Sequence, residues 1–189
     1  MVVDVVGNVP YLLGGHDGAL RPRAEGHQRT LAEIHPPAVV GVTDTLLEEL
    51  KASQQLMVAM TQLVADDHPG RVGAWTLRDI AAHLATTEKE CFEPRIRAMA
   101  ADERPKFEFY SNDDRDFEGI SLESALTEWA GTRNRLIDYV RSLSEDERSR
   151  VGVHTKFGEL TVDGYLRVAL DHDRDHLRSL ERLAAEASR

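Results

Sequence analysis

The stretch VDGYLRVALDHDRDHLRSLERL, residues 162–183, decides the fold of this chain. Its stripe positions recur alternately four and three residues apart, which places them on one face of an α-helix and is typical of a bundle seam. Two of these positions are polar: the stripe is Val162, Leu166, Ala169, Asp173, His176, Leu180 and Leu183. We therefore predict a long helix D, opened by Thr161, with polar side chains on a face that would ordinarily be apolar.

Two other segments in the first half of the chain have helical periodicity. Helix A is predicted from about residue 38 to the Asp-Asp-His-Pro-Gly stop signal at 66–70. Helix B is predicted over about 77–101, with Thr76 as its N-cap and Asp79 completing a capping box. Pro94 is expected to bend helix B, because a proline in a helix removes a backbone donor and crowds the preceding turn.

The second half of the chain supplies a third bundle helix, helix C, which Ser121 is expected to cap. Ser144 and Glu147 offer a second capping box for a short turn after it. Residues 102–120 are predicted to form a polar connection, and residues 150–160 a loop or a short hairpin. With helix D, the pattern predicts an all-α protein folded as an antiparallel four-helix bundle.

Residues 1–37 differ from the rest of the chain in composition. They contain nine of its twenty glycine and proline residues and have no sustained apolar period. The sequence predicts a flexible leader over 1–37, without a domain of its own, followed by one domain over 38–189.

Charge and cysteine content narrow the range of partners. The formal net charge of -10, without a basic face, would repel nucleic acid and anionic lipid surfaces, so neither is expected as a partner. A small-molecule substrate is the expected ligand class. Cys91 is the single cysteine, so no intrachain disulfide can form, and a cytoplasmic location is predicted.

His172 and His176 are four residues apart on helix D, so their imidazoles leave the same face one turn apart. That spacing allows both to bind one metal ion. Burial without a partner would cost about 1–3 kcal/mol for each unpaired polar group, which a metal would avoid. The alternative is that both histidines lie at the solvent edge and pair with the neighbouring acidic residues of the same helix.

A third ligand would have to come from another helix, and His83 at the margin of the apolar stripe of helix B is the candidate. A single histidine there is more often a core residue than a ligand. The combination with the helix D pair favours a metal site, because bundle metal sites are built from facing helices. Three imidazoles with an open position suit zinc, nickel or iron as the divalent ion.

Two motifs carry a family resemblance. Trp75-Thr76 leads to His83-Leu84 and Glu88, and the motif VHTKFGELT, residues 153–161, leads to His172-Asp173 and His176-Leu177. This pattern resembles the DinB-like superfamily over about residues 38–185. The superfamily includes YfiT-type metal-dependent hydrolases and transferases that use a low-molecular-weight thiol.

The resemblance implies a four-helix bundle of the DinB/YfiT-like type, with helix directions up, down, down and up or a similarly crossed order, often as a homodimer. It matches His83, His172 and His176 to three metal-ligand positions. Carboxylates of helix D are candidates to orient the ligand imidazoles, as such groups do in metal sites, and Asp173 is the best placed of Asp171, Asp173 and Asp175.

Further residues have candidate roles. Glu88 matches a family position and is predicted to act as a proton acceptor or to pair with Arg95. His154 and Tyr110 are candidates to close over the open metal position from the loops, and His154 is, with Glu88, a candidate catalytic residue. A histidine in a loop, however, is usually solvated. Cys91 is interpreted as a small core residue, because no partner is spaced to activate it.

These features favour a metal-dependent enzyme whose ion activates a thiol or a water molecule. The thiol version is a transferase with mycothiol or bacillithiol as co-substrate, and the water version is a hydrolase. The alternative is a non-catalytic bundle that binds metal or forms a dimer. Only three ligands are evident where a structural zinc site usually has four, which favours an open site.

Overall fold

Helices form most of the chain in the computed structural model, which describes residues 41–67, 71–101 and 104–187. The leader predicted for residues 1–37 lies outside these ranges. The helices are α1 (Val42–Asp67), α2 (Leu77–Thr87), α3 (Glu93–Ala100), α4 (Leu122–Ser142), α5 (Glu145–Ser149) and α6 (Val162–Ala187). Four helical segments build the bundle: α1, α2 together with α3, α4, and α6. Their bounds follow the predicted periodicity closely.

Helices α1 and α6 run parallel to each other. Thr43 donates a hydrogen bond to Asp163 at 3.0 Å, and Ser53 donates one to Asp173 at 2.6 Å. In both pairs the donor and the acceptor are 120 residues apart in the sequence. A constant separation means that both helices advance in the same direction. The expectation of purely antiparallel neighbours is therefore wrong for this pair.

The order of helix directions follows from the buried clusters. One cluster joins the start of α1 to α3 and to the end of α4, while Met57, later in α1, packs against Leu77 at the start of α2. Helix α1 is thus antiparallel to the α2 and α3 segment, and α4 runs with that segment. The directions are up, down, down and up, as the family resemblance implied, and the all-α bundle is confirmed.

The predicted helix B is not one continuous α-helix bent at Pro94. A π-helical turn, Glu88–Phe92, separates α2 from α3, and the N–H of Glu93 donates to the carbonyl of Glu88. Pro94 occupies the first turn of α3. Proline has no N–H and crowds the carbonyl four residues earlier, and the wider turn accommodates this before the proline is reached.

Five short strands accompany the helices in the described ranges. β1 (Arg71–Val72) and β2 (Trp75–Thr76) pair antiparallel ahead of α2. β4 (Val151–His154) and β5 (Gly158–Thr161) form the hairpin that was one of the two predictions for residues 150–160. β3 (Lys106–Phe107) pairs parallel with β4, so the polar connection contains a strand that the sequence did not predict.

Glycine is required at position 152 of β4. A Cβ atom there would lie 2.7 Å from Cε2 of Phe107 and 2.8 Å from Cγ of Met99. No other residue lets the hairpin approach α3 and β3 this closely.

The helix starts are capped as predicted. The hydroxyl of Thr76 accepts from the N–H of Asp79, whose carboxylate accepts from the N–H of Thr76. Ser121 caps α4, and Ser144 with Glu147 forms the capping box of α5. Among the described residues, no helix is both long and apolar enough to cross a membrane.

Candidate metal centre

Three histidines from two helices converge at the α2 and α6 contact. His83 lies on α2, and His172 and His176 lie one turn apart on α6. Nε2 of His172 is 3.0 Å from Nε2 of His83 and 3.3 Å from Nε2 of His176. One ring nitrogen from each histidine falls within 4.8 Å of the other two, so the group could hold a metal ion.

The nitrogen separations fit a single small cation. Zinc binds imidazole nitrogen at about 2.0–2.1 Å, which puts tetrahedral ligand nitrogens about 3.3 Å apart. The two Nε2 separations that involve His172, 3.0 and 3.3 Å, are close to this value. Within the described ranges no carboxylate or thiolate joins this group of three, so the group could offer three nitrogen ligands to an ion.

The environment keeps these imidazoles neutral. Burial, and then the nearby ring of His176, lowers the pKa of His83 to about 3. Burial and the two neighbouring imidazoles also lower the pKa of His172 well below its ordinary value. Burial lowers the pKa of His176 as well, although Asp173, Asp175 and Asp113 act in the opposite direction. Neutral imidazole is the form that binds metal, so the lone pairs are available at neutral pH.

Aromatic rings flank the histidines. The ring of Trp75 lies 4.6 Å from that of His83 and is nearly parallel to that of His176 at 6.2 Å. The ring centroids of Phe92 and His172 lie 5.7 Å apart in an edge-to-face arrangement. These rings restrict the imidazoles sterically and lower the polarity around them, which would strengthen electrostatic interactions at the site.

Nδ1 of His83 and Nδ1 of His172 are buried and have no hydrogen-bond partner among the described residues. The carboxylate of Asp113 lies near this ring, with its Oδ1 3.7 Å from Nδ1 of His83. Asn112, the residue before it, donates to the backbone carbonyl of His83 at 3.4 Å. The segment after β3 therefore lies against the outer side of this ring.

Asp173 does not orient a histidine by a direct hydrogen bond in the described part of the chain. Its carboxylate accepts from Arg133 at 2.8 Å and from Ser53 at 2.6 Å. The other two acidic candidates pair locally, Asp171 with Arg174 and Asp175 with Arg178. The prediction that Asp173 faces the seam is correct, but its partners are an arginine and a serine.

Glu88 is buried, and its carboxylate is fully engaged. Arg133 donates to its two oxygens at 2.6 and 2.5 Å, and Trp129 donates to Oε2 at 3.1 Å. Burial raises the pKa of Glu88, which the Arg133 guanidinium opposes. Arg95, the partner considered from sequence, instead donates to the hydroxyl of Tyr165 and the carbonyl of Glu108. That pairing was wrong.

The sequence analysis did not single out Arg133. In the structure this residue has 0 % exposure. The spacing of residues in α4 could have identified it. Arg133 continues the alternation of three and four residues that relates the buried positions Leu126, Trp129, Leu136 and Val140. A buried arginine on an apolar seam is expected to pair with a carboxylate, because an unpaired charge in the core is costly. The polar positions of α6 need partners for the same reason. Burial would lower the pKa of Arg133, but Asp173 and Glu88 together raise it, so it stays charged.

The remaining candidates have contacts outside the group of three histidines. His154, on β4, packs its ring 4.7 Å from Phe157 and 6.4 Å from Tyr165, and its Nδ1 accepts from the N–H of Lys156. Tyr110 donates to Glu90 at 3.0 Å. Cys91 is buried, and burial raises the pKa of its thiol, in agreement with a core role.

Comparison with known proteins identifies the family of this chain and a solved structure with a similar fold. The family model described as the DinB superfamily matches residues 43–180. The solved structure of YfiT from Bacillus subtilis, described as "a probable metal-dependent hydrolase with an unusual four-helix bundle topology", is similar with a TM-score of 0.66 and 19% identity, over 82% of this chain and 94% of that chain. None of the curated protein sequences is a significant match.

Proposed function

This chain belongs to the DinB superfamily, and we propose that it is a metal-dependent enzyme in which His83, His172 and His176 hold one divalent ion. The convergence of three Nε2 atoms from α2 and α6 carries the proposal. Without a cation, two of these neutral rings can share at most one hydrogen bond, which needs one nitrogen to donate and the other to accept. A cation would instead use the lone pairs of all three Nε2 atoms. The description of the YfiT structure as a probable metal-dependent hydrolase supports the same conclusion.

The chemistry follows from the number and type of ligands. A divalent ion held by three neutral imidazoles keeps its charge and an open position, and it would lower the pKa of a thiol or water bound there. Zinc, nickel and iron all accept this ligand set. The contribution of the chain is to hold the nitrogens in place and to surround them with Trp75 and Phe92.

We assign no proton-transfer role to Glu88, because Arg133 and Trp129 occupy its oxygens. His154 stays the candidate for that role. The N–H of Lys156 points at its Nδ1, so the proton of the neutral ring is on Nε2. Burial and the cations of Arg95 and Lys156 lower the pKa of His154, which favours the neutral ring.

The proposal has two versions that differ in the nucleophile. In the thiol version the substrate is an electrophile and the co-substrate is mycothiol or bacillithiol. In the water version the substrate carries a hydrolysable bond. The experiment is elemental analysis of the purified full chain, followed by transfer assays with each thiol and by hydrolysis assays on ester and amide panels, with His172→Ala as the matched inactive control.

We expect one equivalent of a divalent metal and an activity that is lost both in His172→Ala and on chelation. Transfer that requires mycothiol or bacillithiol would assign the thiol version, and turnover without thiol would assign the hydrolase. A chain that binds no divalent metal under any loading condition would contradict the proposal. One that binds metal but catalyses neither reaction would instead support the non-catalytic alternative.

A further inference from the structure

Behind the histidine cluster, the bundle core contains a charged network centred on Arg133. Its side chain has no exposed surface, and those of Glu88 and Asp173 are 1 % exposed. All five N–H groups of the guanidinium have acceptors in Glu88, Asp173 and the carbonyl of Leu50. From its position on α4, Arg133 therefore holds α1, the π-helical turn and α6 at once.

The two carboxylates of this network lie on the same helical segments as the histidines. Asp173 directly follows His172, so its side chain leaves α6 about 100° around the axis. Glu88 comes five residues after His83, about 140° around an α-helix. Each segment thus has an imidazole on one face and a carboxylate on another. The guanidinium of Arg133 donates hydrogen bonds to both carboxylates.

We propose that Arg133 is a positioning residue for the three histidines, because it fixes the rotation of the two helices that carry them. If either helix rotated about its axis, its imidazoles and its carboxylate would move together. The bidentate contact between Arg133 and Glu88, at 2.6 and 2.5 Å, resists such a rotation on the His83 side. The contacts of Asp173 with Arg133 and Ser53 resist it on the His172 side.

Stability alone is a weak explanation for this network. Replacing a buried ion pair by neutral residues of similar volume is often neutral or stabilising, because removing charges from water is costly. A directional role is the better-attested reason for such groups in a core, since a rigid fork specifies one arrangement of its partners. The inference rests on the proposed metal site, whose occupancy is tested separately in the unmutated chain.

The test uses Co²⁺ as the probe, because its visible absorption bands report the geometry of its ligands. Three full-length chains are compared with the unmutated protein for Co²⁺ affinity, band shape and far-ultraviolet circular dichroism. In the first, Glu88→Gln, Arg133→Met and Asp173→Asn are combined, which leaves no buried charge unpaired. The second is Arg133→Lys, which retains the cation but lacks the fork. The third combines Glu48→Gln with Arg141→Met, removing an exposed pair that also joins α4 to α1.

We expect the network variant to keep its helical signal and lose about 10–100-fold in Co²⁺ affinity, with altered absorption bands, as when groups behind metal ligands are changed. Arg133→Lys should fall between it and the unmutated chain, and the Glu48 and Arg141 control should match the unmutated chain.

Unchanged Co²⁺ affinity and bands in a folded network variant would overturn the inference. If the network variant does not fold, Arg133→Lys provides the test. Co²⁺ affinity and absorption bands in Arg133→Lys that equal those of the unmutated chain would also overturn the inference. Failure of the unmutated chain to bind Co²⁺ at all would instead refute the metal site itself.

Discussion

Nε2 of His83 lies 3.0 Å from Nε2 of His172, although the two residues are 89 positions apart in the chain. Two neutral rings at this distance can share at most one hydrogen bond, since one nitrogen must donate and the other accept. A cation between them would use both lone pairs. This relationship makes the metal site testable by single substitutions.

Substitution of His172 by alanine should abolish stoichiometric metal binding, because it removes the nitrogen closest to both other ligands. The helical signal should be largely retained. Metal content by elemental analysis and circular dichroism check both points. His154→Ala is the control, since His154 is not in the group of three, and it should keep its full equivalent. Normal metal content in His172→Ala would show that the ion is bound elsewhere.

The metal-free protein should become less stable as the pH falls below about 6.5, the pKa of an unfolded histidine. Burial lowers the pKa of His83 to about 3 in the folded state, so between these values the unfolded chain binds a proton that the folded chain excludes. The protonation of His83 in the unfolded chain therefore reduces the free energy of unfolding by about 1.4 kcal/mol per pH unit in that window.

Urea unfolding of the chelated protein at pH 7.5 and 5.5 measures this effect. His83→Gln is the control, because it removes the titrating group while keeping a polar side chain, and its stability should change less between the two conditions. An equal loss in both proteins would show that the pH dependence has another origin.

Arg133→Met alone should destabilise the fold by about 3–5 kcal/mol, because it leaves two buried carboxylates without their cation. Arg141→Met on the same helix should cost only about 0–1 kcal/mol, since its pair with Glu48 is largely exposed. Chemical denaturation of both variants gives the comparison. Similar losses in the two would mean that the Arg133 network contributes no more than a surface pair.

Gly152→Ala should destabilise the chain by about 1–3 kcal/mol, because the added methyl group would collide with Phe107 and Met99. Gly131→Ala, in the interior of α4, should have the opposite sign and stabilise by about 0.5–1 kcal/mol. A methyl group there would meet only the flexible end of Arg135, at 3.5 Å. Thermal unfolding of the two variants separates overpacking from helix propensity, and a stabilising Gly152→Ala would contradict the close packing of β4.

A chain beginning at Ala38 should keep its metal stoichiometry and melt within a few degrees of the full chain. The family match begins at residue 43, and residues 1–37 have no sustained apolar period in the sequence. A segment that buries little apolar area adds little free energy. Loss of metal, or a large fall in the melting temperature on truncation, would show that residues before Ala38 contribute to the fold or the site.

Local sequence determined the helices, their caps and the faces they bury. The period of α6 and the Thr76 capping box depend on residues within a few positions of one another, so spacing alone predicted them. The His172 and His176 pair is of the same kind, because four residues are about one turn of a helix. His83 was chosen for its place at the margin of the helix B stripe, and the family motif then matched the same residue, but no local rule links it to α6.

The tertiary structure decided how the helices run and which partners their buried polar groups have. The parallel course of α1 and α6 depends on which apolar faces fit together across more than a hundred residues, and periodicity does not encode that choice. Arg133 and Asp173 are each visible as polar residues on a seam, but their pairing with Glu88 exists only after α4, α6 and the π-helical turn have packed together. Hydrophobic periodicity assigns a side chain to the interior, whereas hydrogen bonding between distant segments requires positions that only the assembled bundle defines.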